Sequence, residues 1–441
     1  MYDGRHIIIT AILLLSIASA GGILTRYLKI PYASMLVIIG LFVGIFRIFP
    51  SLNITPYLIY YVFLPVIIFE GAVGIKMRPL ISNILPIGAL SLFGTIISAI
   101  FTGAVFHFVL NFPLKQSLIF GAIITPTDPI SILALLKNRI TKRSGVPPKT
   151  EKNGPGNKAE NADGKEDIET LLTGESLFND GISLVLFEVF LGLNLHGAAL
   201  NPLYNMFYYV LGIIKVSAVQ FLYESIGGSI LGIVLGYSVS LVLSLATDFL
   251  TEIMISLLLA YASLIAAYYL HMSFIMAIIF SGIVLANYGF KKKVSERTLE
   301  VFPVVIEYLT FIVNSILFLI IGIEINLFKI LDIWVISLFI VALSIFSRFI
   351  GVYLISPIVN IVKNRFEIFS DGLTLNKQYK RFLVFGGLKG ALPIAMALSL
   401  PLSLPLRNEI ITYVFITVLF SLTIQAISFD FFVKKGYKNS I

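Results

Sequence analysis

Apolar runs of roughly 20 residues, separated by short polar segments, repeat along the whole chain. A helix needs about 20 mostly apolar residues to cross the hydrocarbon core of a bilayer. The pattern therefore predicts an all-α membrane protein. We place thirteen spans at 7–25, 32–49, 55–75, 83–110, 115–136, 169–191, 212–245, 250–270, 272–289, 302–325, 332–356, 380–401 and 405–432.

Composition supports the membrane class and narrows the chemistry. Hydrophobic residues make up 58% of the chain and charged residues 13%, whereas soluble domains are about 25% charged. The net charge of +8 is compatible with nucleic-acid binding, but the basic residues lie between apolar runs, which is typical of cytoplasmic loops. We therefore expect membrane lipid and no nucleic acid around the protein. The absence of cysteine excludes disulfides and thiolate chemistry, and the four histidines show no metal-ligand spacing.

Lysine and arginine also predict the orientation. Most of the 32 basic residues fall in alternate loops, with the largest groups at 137–165 and 363–381. Because cytoplasmic loops carry the positive charge, we place the N-terminus outside and the C-terminus in the cytoplasm of a plasma membrane. The first span resembles a signal peptide with a cleavage site near 18–21, but this topology requires the span, so we expect it to be retained.

One loop is much longer and more polar than the others. Segment 144–167 is rich in Gly, Pro, Asn and Lys and has almost no large apolar side chains. Such a segment cannot bury enough surface to order itself, so we predict a disordered cytoplasmic linker. Whether it is a neutral insertion or a regulatory segment stays open.

Two spans contain helix breakers beside a charged residue. Pro126 and Pro129 flank Asp128 in the fifth span, and Lys389 lies within the glycine-rich segment 386–390 of the twelfth. Proline and glycine interrupt helices and leave backbone groups unpaired. The two spans are seven apart and so cross in opposite directions. Interrupted spans at corresponding places in two inverted halves point to a transporter binding site.

Several carboxylates lie within the predicted spans, where placing a charge among lipid costs free energy. An ionised carboxylate at the bilayer centre costs roughly 2.5–3.5 kcal/mol, so a buried one usually has a function. Glu175, Ser176, Asn179 and Asp180 share one face of the sixth span, with Asp180 at a depth similar to that of Asp128. A proton and a small hard cation bind the same oxygens, so two such aspartates predict a site where the two compete. A polar clamp between helices is the structural alternative.

Further polar residues complete the predicted site. Thr127 and Ser176 offer hydroxyl oxygens, although such hydroxyls also commonly bond to their own helix. Glu70 in the third span is either a further oxygen ligand or an interfacial glutamate. Arg348 in the eleventh span cannot lose its charge, and we predict that it pairs with Glu175. Lys389 would compensate the negative end of a helix dipole, or belong to a cavity.

These motifs carry a family resemblance. The chain resembles the NhaP-like sodium/proton exchangers of the monovalent cation/proton antiporter family, in TPTDP at 125–129, GESLFNDG at 174–181, the arginine at 348 and GGLKGALP at 386–393. The resemblance covers essentially the whole chain, except for the long insert at 144–167, which members of the family often lack.

The resemblance implies both an architecture and a site. It implies two inverted six-helix repeats with discontinuous crossing helices five and twelve, and a core formed by helices at approximately 83–191 and 302–432. The other helices would form the dimerisation domain of a homodimer. It implies that Na⁺ binds at Asp128, Asp180, Ser176, Thr127 and Glu70, with Asn179 beside them, and that Glu175 and Arg348 are a structural pair. The Asn179–Asp180 sequence implies electroneutral exchange.

The function expected from the sequence is therefore antiport of one Na⁺ or Li⁺ for one H⁺ by alternating access, with no cofactor and no enzymatic activity. A K⁺/H⁺ antiporter of the same fold is the alternative, because oxygen ligands alone do not determine ion size. A cation channel would lack strict coupling to protons. An intramembrane aspartyl protease would show a Gly-x-Gly-Asp string, which neither Asp128 nor Asp180 has.

Overall fold

A computed structural model describes residues 4–28, 30, 32–46, 58–128, 159–193, 204–292, 294–324, 334–366, 372–426 and 428 of the chain. Within these ranges the regular secondary structure is entirely helical. The predicted all-helical class is therefore confirmed.

The helices of the first part of the chain are α1 (Gly4–Leu28), α2 (Tyr32–Ile45), α3 (Leu64–Val73), α4 (Met77–Ser82), α5 (Ile84–Ala89), α6 (Thr95–Leu110), α7 (Leu114–Ile124) and α8 (Ala159–Gly192). Those of the second part are α9 (Tyr204–Leu243), α10 (Phe249–Tyr269), α11 (Phe274–Val284), α12 (Glu296–Glu324), α13 (Trp334–Arg365), α14 (Lys377–Phe385), α15 (Ala391–Leu398) and α16 (Arg407–Phe420). Wider π-helical turns precede α3, join α5 to α6, and follow α11 and α16, at Ile59–Phe63, Leu90–Gly94, Leu285–Gly289 and Ser421–Gln425. A short helical turn, Phe290–Lys292, continues directly from Leu285–Gly289.

Six stretches of the described residues are long and apolar enough to cross a membrane by themselves. They are Ile84–Leu110, Lys215–Leu243, Phe249–Tyr269, Glu296–Ile323, Val335–Arg365 and Arg407–Gln425. Shorter apolar helices, including Tyr32–Ile45 and Leu114–Ile124, pack among them. The chain is thus a helical membrane protein, and six clear spans do not by themselves establish the predicted thirteen.

Several helix boundaries differ from those predicted. The seventh span is one helix of 40 residues, α9, which begins before the predicted start at 212. α8 begins at Ala159, so residues 159–167 of the predicted linker are helical, while 144–158 lie outside the described residues. The tight turn between α10 and α11 does separate two helices, and His271 in it has a φ of 51°.

Close backbone packing positions the helices around α8. α7 lies against α6 at Gly121, where a Cβ atom would overlap the carbonyl oxygen of Ala99. α14 begins where the side-chain oxygen of Asn376 accepts hydrogen bonds from the amides of Gln378 and Tyr379, at 2.9 and 3.0 Å. Such a cap satisfies amides that have no partner within the helix. α14 thereby leads directly into the glycine-rich segment 386–390.

Candidate functional site

Two interrupted helices meet inside the protein. α7 ends at Ile124, and residues 125–128 are not helical, because Pro126 has no amide to donate and its ring excludes a continuing helix. Residues 386–390 separate α14 from α15. The amide of Asp128 donates to the carbonyl of Leu388 at 2.7 Å. A Cβ atom on Gly390 would lie 2.9 Å from Cβ of Asp128, so glycine permits this close approach.

The first interrupted segment also contacts the polar face of α8. The amide of Thr127 donates to Oδ1 of Asp180 at 3.2 Å. The hydroxyls of Thr127 and Ser176 are 2.7 Å apart, and that of Ser176 is also 2.7 Å from the Thr127 carbonyl oxygen, to which it donates. The charge of Asp128 acts on Asp180. The structure thus brings Asp128, Thr127, Ser176 and Asp180 together.

Asn179 is fully hydrogen-bonded next to this cluster. Its amide group donates to the Thr125 carbonyl at 3.1 Å and to the Thr127 hydroxyl at 3.2 Å. Its oxygen accepts from the hydroxyls of Thr95 and Ser183, at 2.6 and 3.2 Å. These bonds use both amide hydrogens and both lone pairs. Asn179 therefore holds the interrupted segment in place, and its predicted contact with an ion stays a prediction.

Glu175 and Arg348 form a buried, bidentate ion pair. Nη1 of Arg348 donates to Oε1 of Glu175 at 2.7 Å, and Nη2 donates to Oε2 at 2.6 Å. The side chains are 3% and 10% exposed. Nε of Arg348 also donates to the carbonyl of Leu383 in α14 at 3.2 Å. The pair therefore links α8 to α13 and to the helix that precedes the second interruption.

Lys389 lies at the C-terminal end of α7. Its ammonium donates to the carbonyl of Thr125 at 3.3 Å, and its backbone amide donates to the Ser421 hydroxyl at 2.8 Å. The side chain is 4% exposed, so its charge acts at a helix end in apolar surroundings. A small polar cavity of about 10 Å³, about the size of one water, borders Lys389, Arg348, Thr125 and Asn179.

Glu70 is half-buried on α3, which packs against α8. At its neighbour Gly71, a Cβ atom would lie 3.2 Å from the side chain of Leu177, the residue after Ser176. The charges that act on Asp180 are those of Asp128, Glu175 and Lys389. The structure therefore brings Glu70 to the helix that carries the site, and its direct contact with an ion stays a prediction.

Comparisons with known proteins identify the family. The family model described as "Sodium/hydrogen exchanger, transmembrane" matches residues 12–435. The chain belongs to this family. It is 30% identical over 433 residues to the low-affinity Na⁺/H⁺ antiporter NhaS1 of Synechocystis sp., covering 98% of this chain and 75% of that protein. It is 31% identical over 387 residues to the Na⁺/H⁺ antiporter NhaP of Pseudomonas aeruginosa, covering 85% and 80%.

The fold agrees with this family. The chain is similar to the structure of the sodium proton antiporter MjNhaP1 from Methanocaldococcus jannaschii, with a TM-score of 0.70 and 20% identity, covering 97% of this chain and 98% of that one. At this identity the likeness shows the fold alone. The resemblance to NhaP-like exchangers, based on the motifs around Asp128 and Asp180, is thereby confirmed. The family is one of transporters.

The sequence did not reveal several residues that complete the site of this exchanger. The amide of Gln425 donates to the carbonyls of Phe385 and Gly387, at 3.2 and 3.4 Å, and so satisfies backbone groups that the second interruption leaves free. The hydroxyls of Thr125 and Ser183 lie 2.8 Å apart. Thr95 binds Asn179 from α6. Small polar residues occur throughout the chain, so no sequence signal distinguished these.

The arrangement offers oxygen atoms in an apolar setting. Two carboxyl groups, two hydroxyls and a backbone carbonyl converge where the interruptions meet α8, with the ammonium of Lys389 nearby. Carboxylate, hydroxyl and carbonyl oxygens are ligands for small hard cations, and carboxylates also bind protons. The site of this exchanger can therefore hold either a cation or a proton.

Proposed function

We propose that the protein is a sodium/proton antiporter that exchanges one Na⁺, or Li⁺, for one H⁺ by alternating access. One observation carries the proposal: both interrupted helices and α8 meet at Asp128 and Asp180, two carboxylates among apolar helices. Relatives that the chain matches over 75–99% of their length are named Na⁺/H⁺ antiporters, which favours Na⁺ over the K⁺ alternative.

In the proposed mechanism, Na⁺ and H⁺ take turns at the same carboxylates. Na⁺ would bind at Asp128, Asp180, Ser176, Thr127 and Glu70. A bare carboxylate crosses an apolar barrier at high cost, whereas one that holds Na⁺ or H⁺ is close to neutral. The loaded site can therefore move between the two sides, and the empty one cannot, which couples the two fluxes. The protein would need no cofactor.

Charge balance supports the proposed electroneutral exchange. Asn179 is neutral and occupied by four hydrogen bonds, and the charge of Glu175 is balanced by Arg348. Asp180 and Asp128 then remain beside the single ammonium of Lys389. If this group carries one Na⁺ in one direction and one H⁺ in the other, it has the same charge on both crossings and no net charge crosses the membrane.

The proposed architecture has thirteen spans in two inverted six-helix repeats, with the N-terminus outside and the C-terminus in the cytoplasm of the plasma membrane. The core would comprise the helices at approximately 83–191 and 302–432, and the other helices would join two copies in a homodimer. The chain has no cysteine, so a single cysteine at Ser440 can test the orientation. It should react with an impermeant maleimide only from the cytoplasmic side, and reaction from outside would refute the topology.

Exchange in proteoliposomes tests the function. A pH-sensitive dye reports proton movement when Na⁺, Li⁺ or K⁺ is added, with and without a clamped membrane voltage. Na⁺ and Li⁺ should drive proton movement, and the voltage should not change its rate. Asp180→Asn and Asp128→Asn should abolish it, while Asp248→Asn, at an exposed helix N-cap, should not. Undiminished exchange in Asp180→Asn, or a response to K⁺ alone, would refute the proposal.

A further inference from the structure

A second pair of acidic side chains lies away from the site, between α8 and α9. Glu188 follows Asp180 by eight residues on α8, which corresponds to about 12 Å along the helix. Its carboxyl group lies within interaction range of that of Glu224 on α9. A carboxylate has no hydrogen to donate, so a bond between two carboxyl groups needs a proton on one of them.

The surroundings of Glu224 are unusual for a buried glutamate. The residue is 7% exposed. Its Oε1 accepts a hydrogen bond from the side-chain amide of Gln220 at 2.8 Å. Its Oε2 is buried and accepts no hydrogen bond from a nitrogen or hydroxyl donor of the described residues. The hydroxyl of Tyr60 is also buried without a hydrogen bond of normal geometry. It lies beside Ser399 and within range of the charge of Glu188.

Other buried glutamates of the described residues have strong donors. Glu175 is bound by the guanidinium of Arg348. Glu252 on α10 accepts hydrogen bonds from the amide and hydroxyl of Ser295, at 3.0 and 2.8 Å, and from the hydroxyl of Thr298. Glu224 has one amide donor and a second carboxyl group instead. Of these three glutamates, Glu224 accepts the fewest hydrogen bonds and is the one that lies beside a second acid.

No positive charge compensates the pair within the part of the chain that the structure describes. The titratable groups that act on Glu188 and Glu224 are each other and the Tyr60 hydroxyl from the turn before α3. From the turn before α11, Ser273 contributes its amide, which donates to the Glu224 carbonyl at 3.1 Å. Two neighbouring carboxylates without a cation repel each other, so a proton bound to one of them lowers the negative charge of the pair.

We propose that Glu188 and Glu224 form a second proton-binding site, separate from Asp128 and Asp180. Glu188 is exposed at the surface of the helices and Glu224 is buried between them, so the pair connects that surface to the apolar interior. The pair also bridges α8, which carries Asp180, and α9. A role for this proton in supplying Asp180 rests on the proposed function; the binding itself does not.

Infrared difference spectroscopy tests the site on the full chain in lipid vesicles. Spectra at neutral and alkaline pH, where exposed carboxyl groups are ionised in both, are compared for the carbonyl band of a protonated carboxylic acid. Glu188→Gln and Glu224→Gln should each lose one such band, because the pair shares a single proton. The control Glu300→Gln, an exposed glutamate paired with Arg297, should keep it. A band that persists in both pair variants would overturn the proposal.

Isotope labelling assigns the band in the unaltered protein, so the test does not depend on variants that fold poorly. In the unaltered protein, ¹³C on glutamate carboxyls should shift the band that the pair contributes, whereas ¹³C on aspartate carboxyls should shift only bands from Asp128 and Asp180. A shift with aspartate alone would overturn the proposal. Asp180→Asn should keep the band even though it loses exchange. The readout needs no transport, so failure of this site and failure of the proposed antiport are distinguishable.

Discussion

The backbone amide of Asp128 donates to the carbonyl of Leu388 at 2.7 Å, which joins the interruption after α7 directly to the interruption between α14 and α15. Each interruption leaves backbone groups without helical partners. Among apolar helices these groups must find partners within the protein. The two interruptions therefore support each other, and the position of Asp128 depends on the shape of segment 386–390.

This dependence predicts that Gly390→Ala damages transport. Gly390 has φ of −103° and ψ of −148°. Because φ is negative, the backbone here does not exclude alanine in the way that a left-handed conformation would. The obstacle is the new Cβ atom, 2.9 Å from Cβ of Asp128. Such overpacking costs about 1–3 kcal/mol and should displace Asp128. We expect Na⁺/H⁺ exchange in proteoliposomes to fall about ten-fold, which corresponds to about 1.4 kcal/mol.

Gly88 on α5 provides the matched control, because a Cβ atom there has nothing within 4 Å. Gly88→Ala adds the same methyl group and should leave the exchange rate unchanged. Equal rates for Gly390→Ala and Gly88→Ala would show that the close contact with Asp128 does not constrain the site.

The bidentate pair between Glu175 and Arg348 predicts a large loss of stability when one partner is removed. Glu175→Gln leaves a buried guanidinium uncompensated, which costs roughly 3–5 kcal/mol in comparable buried pairs. Thermal unfolding of the purified protein in detergent measures the effect. The double variant Glu175→Gln/Arg348→Met removes both charges, so it should unfold at a higher temperature than the single variant.

An exposed ion pair serves as the comparison. Arg297 and Glu300 are 3.4 Å apart, with side chains 66% and 70% exposed. Glu300→Gln should change stability by less than about 1 kcal/mol, because water and salt screen such pairs. If Glu175→Gln were as stable as Glu300→Gln, the buried pair would not contribute to the fold.

The hydroxyl of Ser176 predicts a specific effect on sodium binding. It donates to the Thr127 carbonyl at 2.7 Å and lies 2.7 Å from the Thr127 hydroxyl. Ser176→Ala removes one oxygen of the proposed Na⁺ site and the donor to that carbonyl, a loss of about 1 kcal/mol. We expect the KM for Na⁺ in liposome exchange to rise about five-fold, because the carboxylates that bind the proton remain.

Ser229 is a suitable control for Ser176, since its hydroxyl donates to the Ser225 carbonyl of its own helix at 2.7 Å. Ser229→Ala should leave KM unchanged. An unchanged KM in Ser176→Ala would exclude its hydroxyl from the proposed site.

The sequence predicted the charged residues of the site better than its neutral ones, and the reason is energetic. A carboxylate or guanidinium among apolar residues is expensive, so Asp128, Asp180 and Arg348 stand out in the printed sequence. Burying a serine or threonine costs little free energy, because its hydroxyl can donate a hydrogen bond within its own helix, as that of Ser229 does. Nothing in the sequence therefore distinguished Thr95, which binds Asn179, from such a serine.

The helix boundaries were predicted less accurately than the helices themselves, for a related reason. Hydropathy identifies the apolar part of a helix but not the polar turns that extend it. α9 therefore starts at Tyr204 instead of 212, and α8 starts at Ala159, inside the segment predicted to be a linker. Breaks were easier to predict, because proline and glycine act locally on the backbone. The partner across a break, such as Gln425 for Gly387, depends on the fold and not on the local sequence.

The ammonium of Lys389 predicts a dependence of transport on charge at the end of α7. It donates to the Thr125 carbonyl at 3.3 Å, where the helix dipole is negative, and its charge also acts on Asp180. Lys389→Met keeps the apolar stem and removes the charge. We expect exchange to fall at least ten-fold, because the helix end and Asp180 lose this positive charge. Lys389→Arg keeps the charge and should retain more activity than Lys389→Met, although the larger guanidinium must fit beside a cavity of only about 10 Å³.

Initial rates at saturating Na⁺ measure both Lys389 variants. Lys380→Met is the control, since Lys380 lies 5.5 Å from the ring of Tyr353, away from the site. If Lys389→Met exchanged as fast as Lys380→Met, the charge at this helix end would have no part in transport.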